Sequence, residues 1–216
     1  INEYKTPNSK ISILVKQFAG NTVIENNINM KVNSASCIKV PIMIAVLNKV
    51  LIKEIELNKV IEFKNIKLDD YTGIYSEIER KASILELLTF MIINSDNLAT
   101  NVLIQLFGFS YYNKFFKDNG LIDTELNRFM GIYNLDKENY TSNRDMYYLY
   151  RNLFEEKILN KELCDIAKNI LKKQRSKNAS QRYIYKDIEV YHKTGGLKKL
   201  NLRNDCGYFV CDGKSY

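Results

Sequence analysis

Ser36 and Lys39 stand three residues apart in Ser36-Cys37-Ile38-Lys39, a spacing that puts both side chains on one face of a helix. A serine hydroxyl becomes a useful nucleophile when a neighbouring base removes its proton, and lysine can serve only where burial or a second cation favours its neutral amine. A helix N-terminus at this point would add backbone N–H groups that stabilise an oxyanion. Taken alone, the pair reads at least as well as an N-cap serine followed by a surface lysine. Ser95-Asp96-Asn97, between two apolar runs, offers a hydroxyl that relays a proton and a carboxamide that holds a substrate amide, although all three residue types are also common helix caps. Lys193-Thr194-Gly195-Gly196 follows an apolar strand. Its cation and hydroxyl suit a carboxylate and its glycines permit close backbone approach, the plain alternative being a strand that ends in a glycine turn. Each motif is weak alone; their conjunction in one order along the chain carries the signal, with Lys193 available as the second cation beside Lys39.

The elements that must position these residues follow from periodicity. Ile11 to Gln17 and Asn21 to Ile28 read as strands around Ala19-Gly20-Asn21, an N-terminal hairpin. Val32 to Ala35 leads into a helix from about Ser36 to Lys53, with Pro41 distorting its start because proline lacks one helical donor. From about Leu57 to Ser180 the pattern is mostly helical: Ile84 to Ile93, Leu98 to Phe107, Tyr111 to Asp118, Arg144 to Glu155 and Lys161 to Lys173. Ile188 to Lys193 and Asp205 to Cys211 then alternate as antiparallel strands, and Asp212-Gly213 signals a hairpin. The expected architecture is α+β. An antiparallel sheet lobe (about 1–56 and 181–216), with both chain ends in one layer, and an all-helical lobe (about 57–180) have the active site between them.

Composition narrows the function. With 216 residues and 45% apolar content the chain can fill a core without disulfides or metal. Its richest apolar run, Val40 to Ile52, is interrupted by Asn48 and Lys49, short of the ~18 residues of a membrane span. Thirty-two basic residues against 25 acidic ones give +7. They are spread over amphipathic segments, and no nucleic-acid motif accompanies them, so a solvated surface is expected rather than a nucleic-acid partner. Cys37, Cys164, Cys206 and Cys211 show no Cys-x-x-Cys spacing, and the single histidine leaves too few ligands for zinc. Neither metal nor cofactor is implied. Cys206 and Cys211 lie on opposite faces of one strand about 17 Å apart, so they cannot pair with each other, and all four thiols are read as reduced. His192 alternates away from Lys193 and is read as structural; a Ser-His-Asp triad would have to use it.

Ser-x-x-Lys, Ser-Asp-Asn and Lys-Thr-Gly together resemble the motif set of class A β-lactamases and penicillin-binding proteins. The likeness extends to Ser34-Ala35-Ser36-Cys37-Ile38-Lys39-Val40-Pro41, Ile93-Asn94-Ser95-Asp96-Asn97-Leu98-Ala99-Thr100-Asn101, Tyr140-Thr141-Ser142-Asn143-Arg144-Asp145-Met146 and His192-Lys193-Thr194-Gly195-Gly196, nearly the whole chain. The resemblance implies a β-lactamase/transpeptidase-like fold and a serine hydrolase that opens the β-lactam ring through a Ser36 acyl-enzyme. It makes Lys39 the base, Ser95 the proton shuttle, Asn97 a contact to substrate and Lys39, and Lys193 with Thr194 the carboxylate site. It also gives an oxyanion hole from the backbone N–H groups of Ser36 and Gly196, and counts Gly195 and Gly196 among the substrate-binding residues. The implied substrate is a small β-lactam or a peptidoglycan-like molecule, and the implied location is secreted or at a bacterial cell surface, with the cytoplasm as the alternative. The chain opens on Ile1 without a basic-then-apolar leader, so that location is inferred from function alone. Oligomeric state is left open.

Two departures from the pattern shape the expectation. The family's deacylating glutamate sits on the loop before Thr141, where this chain reads Arg128 to Asn139. Asn134 falls near the acid by register, and Glu138 is offered as a substitute base, with a surface carboxylate as its alternative. Acylation without fast hydrolysis follows. The family's sheet also needs a strand and a terminal helix beyond the Asp212-Gly213 turn. The competing functions are a DD-peptidase or other serine amidase or esterase of this fold, and a penicillin-binding protein that traps the acyl group without turnover.

Overall fold

The structure, a computed structural model, describes residues 9–18, 20–64, 66, 81–132, 136–176 and 188–216. Ala19, Asn134 and the expected lobe boundary near 180–181 lie outside the described residues. Helix α1 (Lys39–Leu51) is buried at every position from Lys39 to Leu47, so it is apolar all round and forms the centre of the core. Against it pack α2 (Ile84–Ile93), α3 (Asn97–Asp118) and α5 (Lys161–Lys172). α4 (Asn143–Phe154) packs on α5 and carries Met146, Leu149, Tyr150 and Leu153 inward.

Local chemistry sets these boundaries. Ser83 and Glu86 form a reciprocal capping box at the start of α2, with Glu86 N donating to Ser83 Oγ at 3.2 Å and Ser83 N to the Glu86 carboxylate at 2.7 Å. Ser142 caps α4 and Asn160 caps α5. The two helices expected between Leu98 and Asp118 form one element interrupted by Gly108, whose φ of 76° and ψ of 153° are not helical. The helix expected from about Ser36 begins instead as a 3₁₀ turn, Ala35–Ile38, before α1 takes over at Lys39. Pro41 has no N–H for the carbonyl four residues back, which removes one bond of a regular first turn.

β1 (Ile13–Lys16) and β2 (Thr22–Asn26) make the N-terminal hairpin, antiparallel with a bulge between Val15 and Lys16. Two short ladders interrupt the segment read as helical: β3 (Val32–Asn33) with β6 (Tyr140–Thr141), and β4 (Val60–Glu62) with β5 (Lys81–Ser83). Ladders of two or three residues are too short to show an alternation. The C-terminal sheet is β7 (Glu189–Leu197), β8 (Leu202–Cys211) and β9 (Lys214–Ser215), all antiparallel. The ends of the chain were expected to share one sheet layer. Among the described residues they form separate ladders that meet where Phe18 N donates to Ser215 O at 2.8 Å. Elsewhere a cavity separates β1 from β8 over a floor that includes Met146 and Tyr150. The α+β class and the β-lactamase/transpeptidase-like fold stand as expected.

Candidate active site

The three motifs converge on the Ser95 hydroxyl. Lys39 Nζ donates to Ser95 O at 2.7 Å, to Ser95 Oγ at 3.2 Å and to Asn97 Oδ1 at 2.8 Å. From the other side Lys193 Nζ reaches Ser95 Oγ at 3.0 Å and Thr194 O at 2.7 Å. Both lysines are fully buried. Ser95 has a φ of 56°, a left-handed backbone uncommon for a residue with a side chain, and this turn presents its carbonyl and its hydroxyl to Lys39 together. Asp96 is the true cap of α3, accepting from Ala99 N at 2.8 Å. The cap reading thus holds for Asp96, while Ser95 and Asn97 take their hydrogen bonds from Lys39 and Lys193.

Ser36 sits in the 3₁₀ turn directly before α1, after Ala35 with a φ of 44°. Strain of this kind costs of order 1–3 kcal/mol and persists where neighbours over-determine it. The neighbours are named: Ala35 N donates to Asn33 Oδ1 at 2.9 Å, and Ser34 donates to Asn139 O from both its N–H (2.8 Å) and its hydroxyl (3.0 Å). β7 runs along the same turn. A Cβ on Gly195 would stand 2.9 Å from Ser36 N and 3.0 Å from Cys37 N, so only glycine lets the strand lie this close. Lys193-Thr194-Gly195-Gly196 is continuous strand paired with β8, which corrects the glycine-turn alternative. Gly196 is exposed, whereas Thr194 is buried and accepts from Gln174 Nε2 at 3.4 Å.

Burial pushes the Lys193 ammonium down to about 8, the nearby Cys37, Cys206 and Asp205 groups opposing that shift. It is thus a cation at neutral pH and loses its charge in mild alkali. His192 Nδ1 lies 2.9 Å from Asp205 Oδ1, and its Nε2 is buried without a hydrogen-bond partner among the described residues. The ring side of His192 is accommodated by Gly207, where a Cβ would meet His192 Cβ at 2.6 Å.

Among its described residues, 128–132 and 136–139, the loop before Tyr140 is braced by side-chain hydrogen bonds. Glu138 Oε2 accepts from Arg128 Nη2 at 2.7 Å, Arg128 Nε at 3.0 Å and Asn33 Nδ2 at 2.8 Å. Its carboxylate closes the loop and, through Asn33, holds the Ala35 turn; all three of these bonds fall on Oε2 and describe a clamp. Asn101 Nδ2 donates to Met130 O at 2.9 Å while Met130 N donates to Asn101 Oδ1 at 2.7 Å. Asn101 is one helical turn beyond Asn97 on α3, so the loop backbone pinned next to the Lys39 network belongs to Met130, a buried thioether. Asp136, the other carboxylate of the segment, is exposed. Asn33, Asn101 and Arg128 were not singled out by the sequence. The four-residue step from Asn97 to Asn101 was a usable signal, but nothing local marks the long-range partners of Asn33 or Arg128.

The whole chain, residues 1–216, matches the Beta-lactamase enzyme family. It belongs to that family. Its fold is similar to a β-lactamase from Sphaerobacter thermophilus DSM 20745 (26% identity, covering 94% of this chain and 78% of that one, TM-score 0.85). It is also similar to a mutant of PBP-A in an acyl-enzyme complex with penicillin G (24% identity, 89% and 73%, TM-score 0.79) and to TLA-3 extended-spectrum β-lactamase (19% identity, 94% and 80%, TM-score 0.82). No protein of curated function matches the sequence. Family membership supports a hydrolase of the serine β-lactamase type. No helix among the described residues is long and apolar enough to cross a membrane.

Proposed function

We propose that the protein opens β-lactam rings by forming an acyl-enzyme on Ser36 and that it releases the acyl group slowly. The observation that carries the first half is the pair of buried lysines on one hydroxyl, Lys39 and Lys193 at 3.2 and 3.0 Å from Ser95 Oγ. Burial and a second cation both favour a neutral amine, the form in which Lys39 takes the Ser36 proton as Ser36 Oγ bonds to the lactam carbonyl carbon. The developing oxyanion lies against the backbone N–H groups of Ser36 and Gly196. As the C–N bond breaks, the Ser95 hydroxyl passes a proton to the ring nitrogen and is resupplied by Lys39. Lys193 and Thr194 hold the substrate carboxylate, and Asn97 holds its amide.

The clamp at Glu138 and the thioether at Met130 support slow release, because hydrolysis of an ester needs a base that activates water. This favours the acyl-trapping, penicillin-binding end of the family over rapid turnover. A substrate of this chemistry supports a secreted or cell-surface location over a cytoplasmic one. The test is labelling with a fluorescent penicillin, followed by peptide mapping. A label on Ser36 that is absent from Ser36→Ala is expected; a label that persists in that variant refutes the site, and cleavage of a D-Ala-D-Ala peptide without labelling refutes the substrate.

A further inference from the structure

Two of the four thiols meet behind the Lys193 strand. Cys37 follows Ser36 in the 3₁₀ turn, and Cys206 is the register partner of Lys193 on β8. Cys37 Sγ donates to Lys193 O at 3.4 Å and Cys206 Sγ donates to the same oxygen at 3.5 Å. The Lys193 carbonyl oxygen is thus an acceptor the two thiols share. The other cysteines stand apart: Cys164 is on α5 with its thiol on Leu159 O, and Cys211 is at the far end of β8. Cys206 also lines the cavity between β1 and β8, which gives a small reagent an approach to this pair that does not pass through the Ser36 cleft.

We propose that Cys37 and Cys206 are a dithiol site that a small hydroperoxide converts to a disulfide. The Cys206 sulfur attacks the peroxide oxygen, the O–O bond breaks, and the departing oxygen takes a proton to leave as water or an alcohol. The resulting sulfenic acid is attacked by the Cys37 sulfur, the S–O bond breaks, and hydroxide leaves as water with the second thiol proton. The two thiols lose two electrons and the peroxide gains them. Cys206, the less buried of the two, reacts first; Cys37, 1% exposed, resolves it. The contact with Cys37 and burial hold the Cys206 thiol well above its ordinary value, so the pair rests reduced and yields to peroxide slowly. The bond ties the turn carrying Ser36 to β8 across Lys193. It does not depend on whether Ser36 is acylated.

The experiment treats a Cys164→Ala/Cys211→Ala variant with hydrogen peroxide, denatures it, alkylates it and takes its intact mass, with peptide mapping of the unsubstituted chain in parallel. The expected result is a monomer that has lost both alkylation sites, regains them after dithiothreitol, and yields one cross-linked pair of peptides containing Cys37 and Cys206. Retention of both alkylation sites, or oxygen added to one sulfur without a cross-link, overturns the proposal. If the variant does not fold, the map of the unsubstituted chain decides: a cross-link between Cys37 and Cys206 supports the site, and any other pairing or none refutes it.

Discussion

The Lys39–Ser95–Lys193 centre and the Arg128–Glu138 loop both adjoin the turn that carries Ser36 and are built on opposite plans. In the first, two buried lysines converge on one hydroxyl and leave it a path for protons. In the second, the one partly buried carboxylate is spent on Arg128 and Asn33. Making the acyl bond needs a base at the serine, and breaking it needs a base at a water. One chain can therefore keep the first step while its loop serves only to hold the turn in place. The difference teaches that a charged residue in a catalytic loop is assigned by its partners and not by its type.

The largest effect expected on this contrast is from Ser36→Ala, which removes covalent labelling by penicillins altogether in an intact-mass assay. Lys39→Ala comes next, slowing acylation by about 10²–10⁴-fold, the range of a general base, with near-unchanged melting if the cavity is filled by water. Met130→Glu sharpens the contrast from the other side. It sets a carboxylate on the backbone that Asn101 holds one turn from Asn97, and release of the acyl group, read as adduct lifetime, shortens on the order of 10²-fold.

Lys193→Ala weakens capture of anionic β-lactams by roughly 10–100-fold, as loss of charge-assisted bonds does. The same residue gives a pH signature. Its value of about 8 in the folded chain means that acylation declines as pH rises through about 8, where the cation is lost. Stability runs the other way. Between about 8 and the ordinary 10.5 the unfolded chain binds the extra proton, so this group's penalty on folding is full below about 8 and relaxes as pH rises toward 10.5. The smallest effect on chemistry is expected from Glu138→Gln: adduct lifetime changes by less than about threefold, while stability falls by roughly 1–3 kcal/mol because the Arg128 guanidinium loses its charged acceptor. A large change in lifetime with unchanged stability would make Glu138 the base after all.

Much of this contrast was legible in the sequence, and the illegible part has a physical reason. α2 was read to the residue, from Ile84 to Ile93, because helical periodicity is a local signal. Motif order singled out Lys39, Ser95, Asn97 and Lys193, which the hydrogen bonds bring together. It did not give the role of Glu138, since its partners Arg128 and Asn33 lie 10 and 105 residues away in sequence. Gly195 was marked as permitting close approach, but that it approaches Ser36 N is a fact of packing. The strands around Val32 and Tyr140 were invisible because two paired residues carry no period.

The central claim is that Ser36 forms an ester that this loop does not hydrolyse quickly, and the direct test is intact mass over time with a chromogenic cephalosporin. The account predicts one adduct per chain, on Ser36, that outlasts the initial colour burst. Sustained colour with no adduct accumulating would contradict it and require a working base that neither Glu138 nor Met130 supplies.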